Sequence, residues 1–496
     1  MRMMRWVALL SVLLVLAPSG LCAEPGTREE RWYTVSMQGQ RVGWMREAVT
    51  ALRTGNIRTE MEMSMKVGRF DDGIEIVIRT GFVETPEGKP VEMRMMQKMG
   101  MVEVQTRSVF EEDRLVTQTR QFGMTSERAE PLPEETWLTP MQAAEFVRKR
   151  LEAGATEIVF TTIDPTLGAT PVGAKMRIGE RVTVHALGRE IEGFRAEVEQ
   201  SIMPDAVQRT VIDRDGSTLS ASVSMGQFEI DIHLATRAEA MAETEPLELM
   251  VDTLVRPTGE RIARGHRPTR GSYLIRAKQG RMPDLPSIGV QRAERLDDAT
   301  VRVVVDLNDR AAAPDEDVHN AAYRAGGPMV NIDDPEVVRL ATEAVEGVHP
   351  RYLRGKARAI ERFVIRHMRQ TNLNVGFATA SEVARTGEGD CSEYTVLTVA
   401  LCRAVGIPAR GVTGLVYIDD FGGQERVFGY HMWAQALVLR EDGKGLEWID
   451  LDGAMRGMSG THIAESVSAM SGDLMQEMVS AAMLIGNIEI VVEEVE

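Results

Sequence analysis

Cys391, His431 and an aspartate at 452 or 450 follow one another along this chain, and together these residue types can do acyl transfer. A thiol attacks a carbonyl carbon as its thiolate, so it needs a base within reach and a positive environment. The residues around Cys391 supply the second. Gly387 and Gly389 interrupt the chain, and Asp390 is a good helix N-cap. From Cys391 onward, Tyr394, Leu397, Leu401 and Val405 recur at steps of three and four, which predicts a helix with one buried face. Cys391 then lies in the first turn, where the helix dipole favours an anion. Gly406 in the C′ place and Pro408 two residues on end that helix.

Three strands must bring the partners. Gly411 to Tyr417 is one, and Tyr430 to Leu439 is the next, with His431, Trp433 and Gln435 on one face by alternation. Glu447 to Leu451 is the third and delivers Asp450 or Asp452. A cysteine at a helix start, facing a histidine and an aspartate from neighbouring strands, makes a nucleophile, a base and an orienting acid.

The pieces GDCSEY, ALCRAVGIPAR, GYHMWAQ and WIDLDGA occur in that order over roughly residues 330–460. This order resembles the core of the transglutaminase-like superfamily, which places a papain-type triad on its own fold. The resemblance implies Cys391 as nucleophile, His431 as base and Asp452 as orienter. It also implies hydrolysis of peptide or amide bonds on a protein or peptide substrate, or crosslinking to an amine. Hydrolysis is favoured, since nothing marks an amine-acceptor site. Gly453 and Ala454 stand where the family has Pro and Thr after its acid, so Asp450 remains a competitor. The rival class is a catalytically inactive binding or scaffold protein that keeps the fold.

The whole chain sets bounds on these readings. Its 496 residues exceed one core, so two or three domains are expected. A net charge of −17 argues against a nucleic-acid ligand. Residues 1–23, with Arg2 and Arg5 before the apolar run Trp6 to Ala17, form a signal peptide, so the protein is expected to be exported, periplasmic or secreted. Cys22 raises a lipoprotein alternative that Leu21 before it disfavours. No later apolar stretch is long enough to span a membrane. Beyond residue 23 only Cys391 and Cys402 remain, and eleven residues of helix would part them by about 16 Å, too far to bridge. The expected architecture is α+β. A β-rich antiparallel domain with one covering helix (Thr139 to Ala153) occupies 24–240, a linker and small β module 241–314, and a catalytic domain of helices packed on an antiparallel sheet 315–496. His185, His233, His266, His319, His349, His367 and His462 are scattered without metal-ligand spacing, and no phosphate-binding glycine pattern occurs, so neither metal nor cofactor is expected. Residues 418–428, with Asp419, Asp420 and Glu425, are taken as a solvated loop.

Overall fold

The computed structural model of the protein describes residues 28–496 apart from 70–71, 100–101, 122, 169, 226–227, 245–246, 249–252, 266, 372–377 and 471–485. The signal peptide expected at 1–23, with Cys22 in it, and a helix expected at 473–483 lie outside the described residues. The chain divides into two compact units, one ending at Leu247 and the other starting at Glu248.

In the first unit, strands from Arg28–Met37 to Phe228–Ala235 make one antiparallel sheet built as two meanders. Arg28–Met37 lies at its middle. One meander runs outward from it to the edge strand Met124–Pro131, and the other returns from the edge strand Glu157–Ile163 to Phe228–Ala235, which pairs back on Arg28–Met37. Period-two alternation sets the core. Tyr33, Met45, Met63 and Ile78 are paired rung by rung across four strands and are all buried. The methionines of these strands are therefore core packing, as Met61, Met65 and Met93 also show. Helix α1 (Pro140–Glu152) joins the two edge strands, buries Ala144, and packs Ala143 and Val147 against Ile158, Phe160, Met176 and Val198. Burying Val147 alone stabilises by roughly 1.5 kcal/mol. The last strand before this helix ends at Pro131.

The second unit holds two larger sheets, a two-stranded parallel pair of Gln370–Thr371 with Glu388–Gly389, and the helices. Arg270–Ala277 pairs with Thr300–Asp306 on one side and with the last strand, Ile488–Val495, on the other, while Gln291–Arg295 closes one edge. Sequence inspection places residues 241–314 as a linker and separate module, but their strands share a sheet and a core with the C-terminal strand: Tyr273, Ile275, Val303, Ile488 and Ile490 pack together. This pairing spans some two hundred residues of chain, which no local pattern reveals. A fragment of residues 315–496 would leave Ile488, Ile490 and Val492 uncovered, so it is expected to aggregate, whereas 248–496 is expected to stay soluble and melt cooperatively. A cooperative melt of the shorter fragment would refute this.

The other sheet has the strand order Leu446–Leu451, Gln424–Leu439, Ala409–Phe421, Ile463–Ser468. Its central hairpin turns at Gly422 and Gly423, both at positive φ, so the expected loop at 418–428 is in fact paired strand. Charged residues on that hairpin concealed its strand character. Helices α2 (Pro335–Ala344), α3 (Leu353–His367), α4 (Ala380–Thr386) and α5 (Cys391–Ala404) complete the unit. The side chains of α5 from Thr395 to Arg403 are all buried, because it packs against the other three helices and the hairpin together. Among the described residues, no helix is long and apolar enough to cross a membrane.

Candidate active site

The start of α5 is fixed by its own sequence. The Asp390 carboxylate accepts the Ser392 N–H at 2.9 Å, and Glu393 reaches back to accept the Asp390 N–H at 2.9 Å, a capping box that leaves Cys391 as the first helical residue. Gly389, at φ 144°, makes the turn into the cap, and a Cβ there would collide with the Glu393 side chain at 2.3 Å. Glu393 is buried, and that burial, followed by the Asp390 charge, pushes its carboxyl well above the ordinary range. At the far end, the N–H groups of Gly406 and Ile407 bond the Arg403 and Cys402 carbonyls at 2.9 Å, a Schellman stop at the glycine and proline that foretold it.

Strand pairing brings His431 to this helix start. His431 stands opposite Gly414 in the hairpin, and Gly414 admits the neighbouring strand so closely that a Cβ would lie 2.0 Å from the Ile463 carbonyl oxygen. His431 Nε2 lies 2.7 Å from Asp452 Oδ2, and Cys391 sits near enough to the same imidazole to raise its pKa. With Nε2 given to Asp452, Nδ1 is the ring nitrogen left for sulfur. Burial favours neutral imidazole, but the Asp452 carboxylate, its hydrogen bond and Cys391 outweigh it and raise His431 to about 10. Burial conversely opposes the Asp452 charge, and the two histidines beside it hold the carboxyl well below its usual range.

Asp450 goes elsewhere. Its register partner is Gln435, and its Oδ1 accepts from Gln435 Nε2 at 2.7 Å and Trp433 Nε1 at 3.2 Å, with the Arg310 guanidinium 3.6 Å from Oδ2. The expected face of His431, Trp433 and Gln435 thus splits its duties: His431 meets Asp452, and the other two hold Asp450. Trp433 also stacks on the His431 ring, centroids 6.0 Å apart.

Sequence inspection missed the residues that hold Asp452. Its N–H donates to Glu361 of α3 at 2.9 Å, its Oδ1 accepts the Met455 N–H at 2.9 Å, and Oδ2 accepts a second contact, His462 Nε2 at 2.9 Å. Arg358, one turn before Glu361, bonds both Glu361 and the Asp450 carbonyl, so α3 clamps the strand end. The ligand atoms of His431, Asp452 and His462 lie within 4.8 Å of one another, a spacing a metal ion would also use, though here they form hydrogen bonds that an ion would have to displace. Cys402 is wholly buried, and that burial pushes its thiol up to about 12. Cys391 is only part-buried. Both are free thiols.

Residues 338–453, which contain Cys391, His431 and Asp452, match the core model of the transglutaminase-like superfamily. No curated protein matches the sequence. Among solved structures, a β-barrel-like protein of a domain of unknown function from Brucella abortus aligns at 14% identity over 43% of this chain and 97% of its own, with a TM-score of 0.34. A candidate cysteine protease from Cytophaga hutchinsonii aligns at 14% identity over 49% of this chain and 84% of its own, with a TM-score of 0.27. A candidate protease from Parabacteroides distasonis aligns at 10% identity over 77% of this chain and 68% of its own, with a TM-score of 0.20. TM-scores this low assign no function. The family match places a transglutaminase-like core in the second unit.

Proposed function

We propose that this protein is a thiol acyl-transfer enzyme that hydrolyses peptide or amide bonds of a protein or peptide substrate. Cys391 is the nucleophile, His431 the base and Asp452 the orienting acid. The observation that carries this reading is one imidazole held between the Asp452 carboxylate, at 2.7 Å, and the Cys391 thiol at a helix start. Proton transfer from sulfur to His431 creates a thiolate beside an imidazolium that the buried Asp452 stabilises. The thiolate adds to the carbonyl carbon, and the imidazolium then protonates the departing amine. Water releases the acyl group from sulfur with His431 as base. The backbone N–H of Cys391, free of an intrahelical acceptor at the first helical position, is one donor for the oxyanion. No cofactor or metal enters this scheme. Export through the 1–23 segment belongs to the same reading, and fractionation of expressing cells with N-terminal sequencing of the mature protein tests it.

Iodoacetamide tests the nucleophile directly. Cys391 is expected to be carboxymethylated in the native protein at least about 100-fold faster than Cys402, since only a thiolate in reach of solvent reacts. Peptide mapping after short exposure gives the ratio. Equal rates, or Cys402 labelled first, would contradict the assignment.

A further inference from the structure

We infer that His462 is a positioning residue of this site, a second histidine that fixes the ionised Asp452 so that His431 is held against Cys391. The inference rests on the reading of Cys391, His431 and Asp452 as a triad. His462 Nε2 and His431 Nε2 converge on one oxygen, Asp452 Oδ2, at 2.9 and 2.7 Å. All three side chains are buried, so water does not complete these contacts. The proton on Nε2 follows from its partner, because the ionised Asp452 Oδ2 at 2.9 Å can only accept. Nδ1 faces Ser459, whose N–H and hydroxyl at 3.2 Å can donate to it and whose carbonyl lies at 3.3 Å. Both ring nitrogens are thus committed, and His462 cannot serve as a base toward Cys391. It acts through Asp452.

The carboxylate is gripped on every side that could let it turn. Oδ2 takes the two imidazoles, Oδ1 takes the Met455 N–H, and the backbone on either side of the carboxyl is tied by Glu361 accepting the Asp452 N–H and by the Gly457 N–H bonding the Asp452 carbonyl at 2.7 Å. The rings pack as a cage, with the His462 ring edge-on to His431 at 5.8 Å and to Trp433 at 5.5 Å. The charged and titratable groups facing this cluster are Cys391 at the start of α5, Glu361 and Arg358 on α3, and Asp450 and Arg310 behind Trp433. Among these, only His462 donates to the same oxygen as His431. A donor to the charged form keeps a buried carboxyl ionised. Without it, Asp452 protonates more readily and turns more freely, and the imidazolium loses its fixed partner.

The test compares His462→Gln, whose amide N–H can reach the place of Nε2–H, with His462→Leu, which fills space and donates nothing. The readout is iodoacetamide inactivation of Cys391 across pH, which needs no substrate. The Leu variant is expected to react about tenfold more slowly at its plateau, from loss of one charge-assisted hydrogen bond, with its acid limb moved to higher pH. Gln is expected to stay within about threefold of the parent with the limb unmoved. Any other pattern, including equal loss in both variants or loss in neither, overturns the inference, because a purely structural role would not distinguish a donor from an isostere. Nitrogen-15 spectra of the unmutated protein provide a second check that survives a folding failure of the variants: His462 must carry its proton on Nε2, and a proton on Nδ1 refutes it. Failure of the underlying triad looks different. There, Cys391 of the unmutated protein alkylates no faster than an ordinary thiol, the positioning role of His462 falls with it, and the Nε2–H tautomer still stands.

Discussion

Cys391→Ala is expected to lower turnover by about five to six orders of magnitude while leaving the fold intact, because removing the atom that bonds to substrate leaves only binding and oxyanion stabilisation. The fold should not notice. Cys391 is part-buried, and the cap of α5 is made by Asp390, Ser392 and Glu393, none of which needs the sulfur. Alanine is also the better helix former, so the change in stability should stay within about 0.5 kcal/mol. Cys391→Ser is expected to stay below about one-thousandth of the parent, since a hydroxyl gives up its proton to imidazole far less readily than a thiol. The measurement pairs hydrolysis of a small activated ester and of a denatured protein with a thermal melt. Turnover that survives in a folded Cys391→Ala protein would remove this cysteine from the chemistry. A folded and fully inactive parent protein would favour the scaffold alternative.

The parts of the site that were legible in sequence are those governed by neighbouring residues. Asp390 before Cys391, and Gly406 with Pro408 after the helix, are local signals, and both ends of α5 obey them. Three of the four motif pieces likewise fall inside the matched segment 338–453, and the fourth, Trp448 to Ala454, overruns it by one residue. Alternation along Gln424–Leu439 put His431, Trp433 and Gln435 on one face, but it could not tell which of two acids each would meet. Asp450 and Asp452 share a strand face by parity. Register decides between them, pairing Gln435 with Asp450 and leaving His431 to the residue beyond the strand end. His462 had no signal at all. It lies after Gly457 and Gly460, where no period operates, and only the fold of residues 453–462 returns it to Asp452. Glu361 was hidden for another reason. A Glu three residues after an Arg on a helix reads as a surface pair, yet Glu361 is buried and bonds the Asp452 backbone.

The two acids are expected to fail in opposite ways when each is changed to asparagine. Asp452→Asn should lower kcat by about three to four orders of magnitude, the scale of losing the orienting acid of such a triad. An amide can present N–H to Nε2 and turn the imidazole to the wrong tautomer, and it carries no charge to stabilise imidazolium. The pH dependence of stability should change with it. His431 is raised in the folded state to about 10 from an ordinary value near 6.5. Its ion pair therefore stabilises fully below about pH 6.5 and is lost as pH rises toward 10. In Asp452→Asn that alkaline loss should shrink, because the carboxylate that raises His431 is gone. Asp450→Asn should leave the pH profile of Cys391 alkylation in place, since Asp450 does not touch His431. Its cost should appear as stability instead, about 2–4 kcal/mol, because Asp450 is buried against Gln435, Trp433 and the Arg310 guanidinium, and neutralising it strands a positive charge. Denaturant melts and alkylation profiles on both variants separate the two effects. If Asp450→Asn rather than Asp452→Asn moves the pH profile, the orienting acid is Asp450 after all, and the 2.7 Å contact between His431 and Asp452 is not the working one.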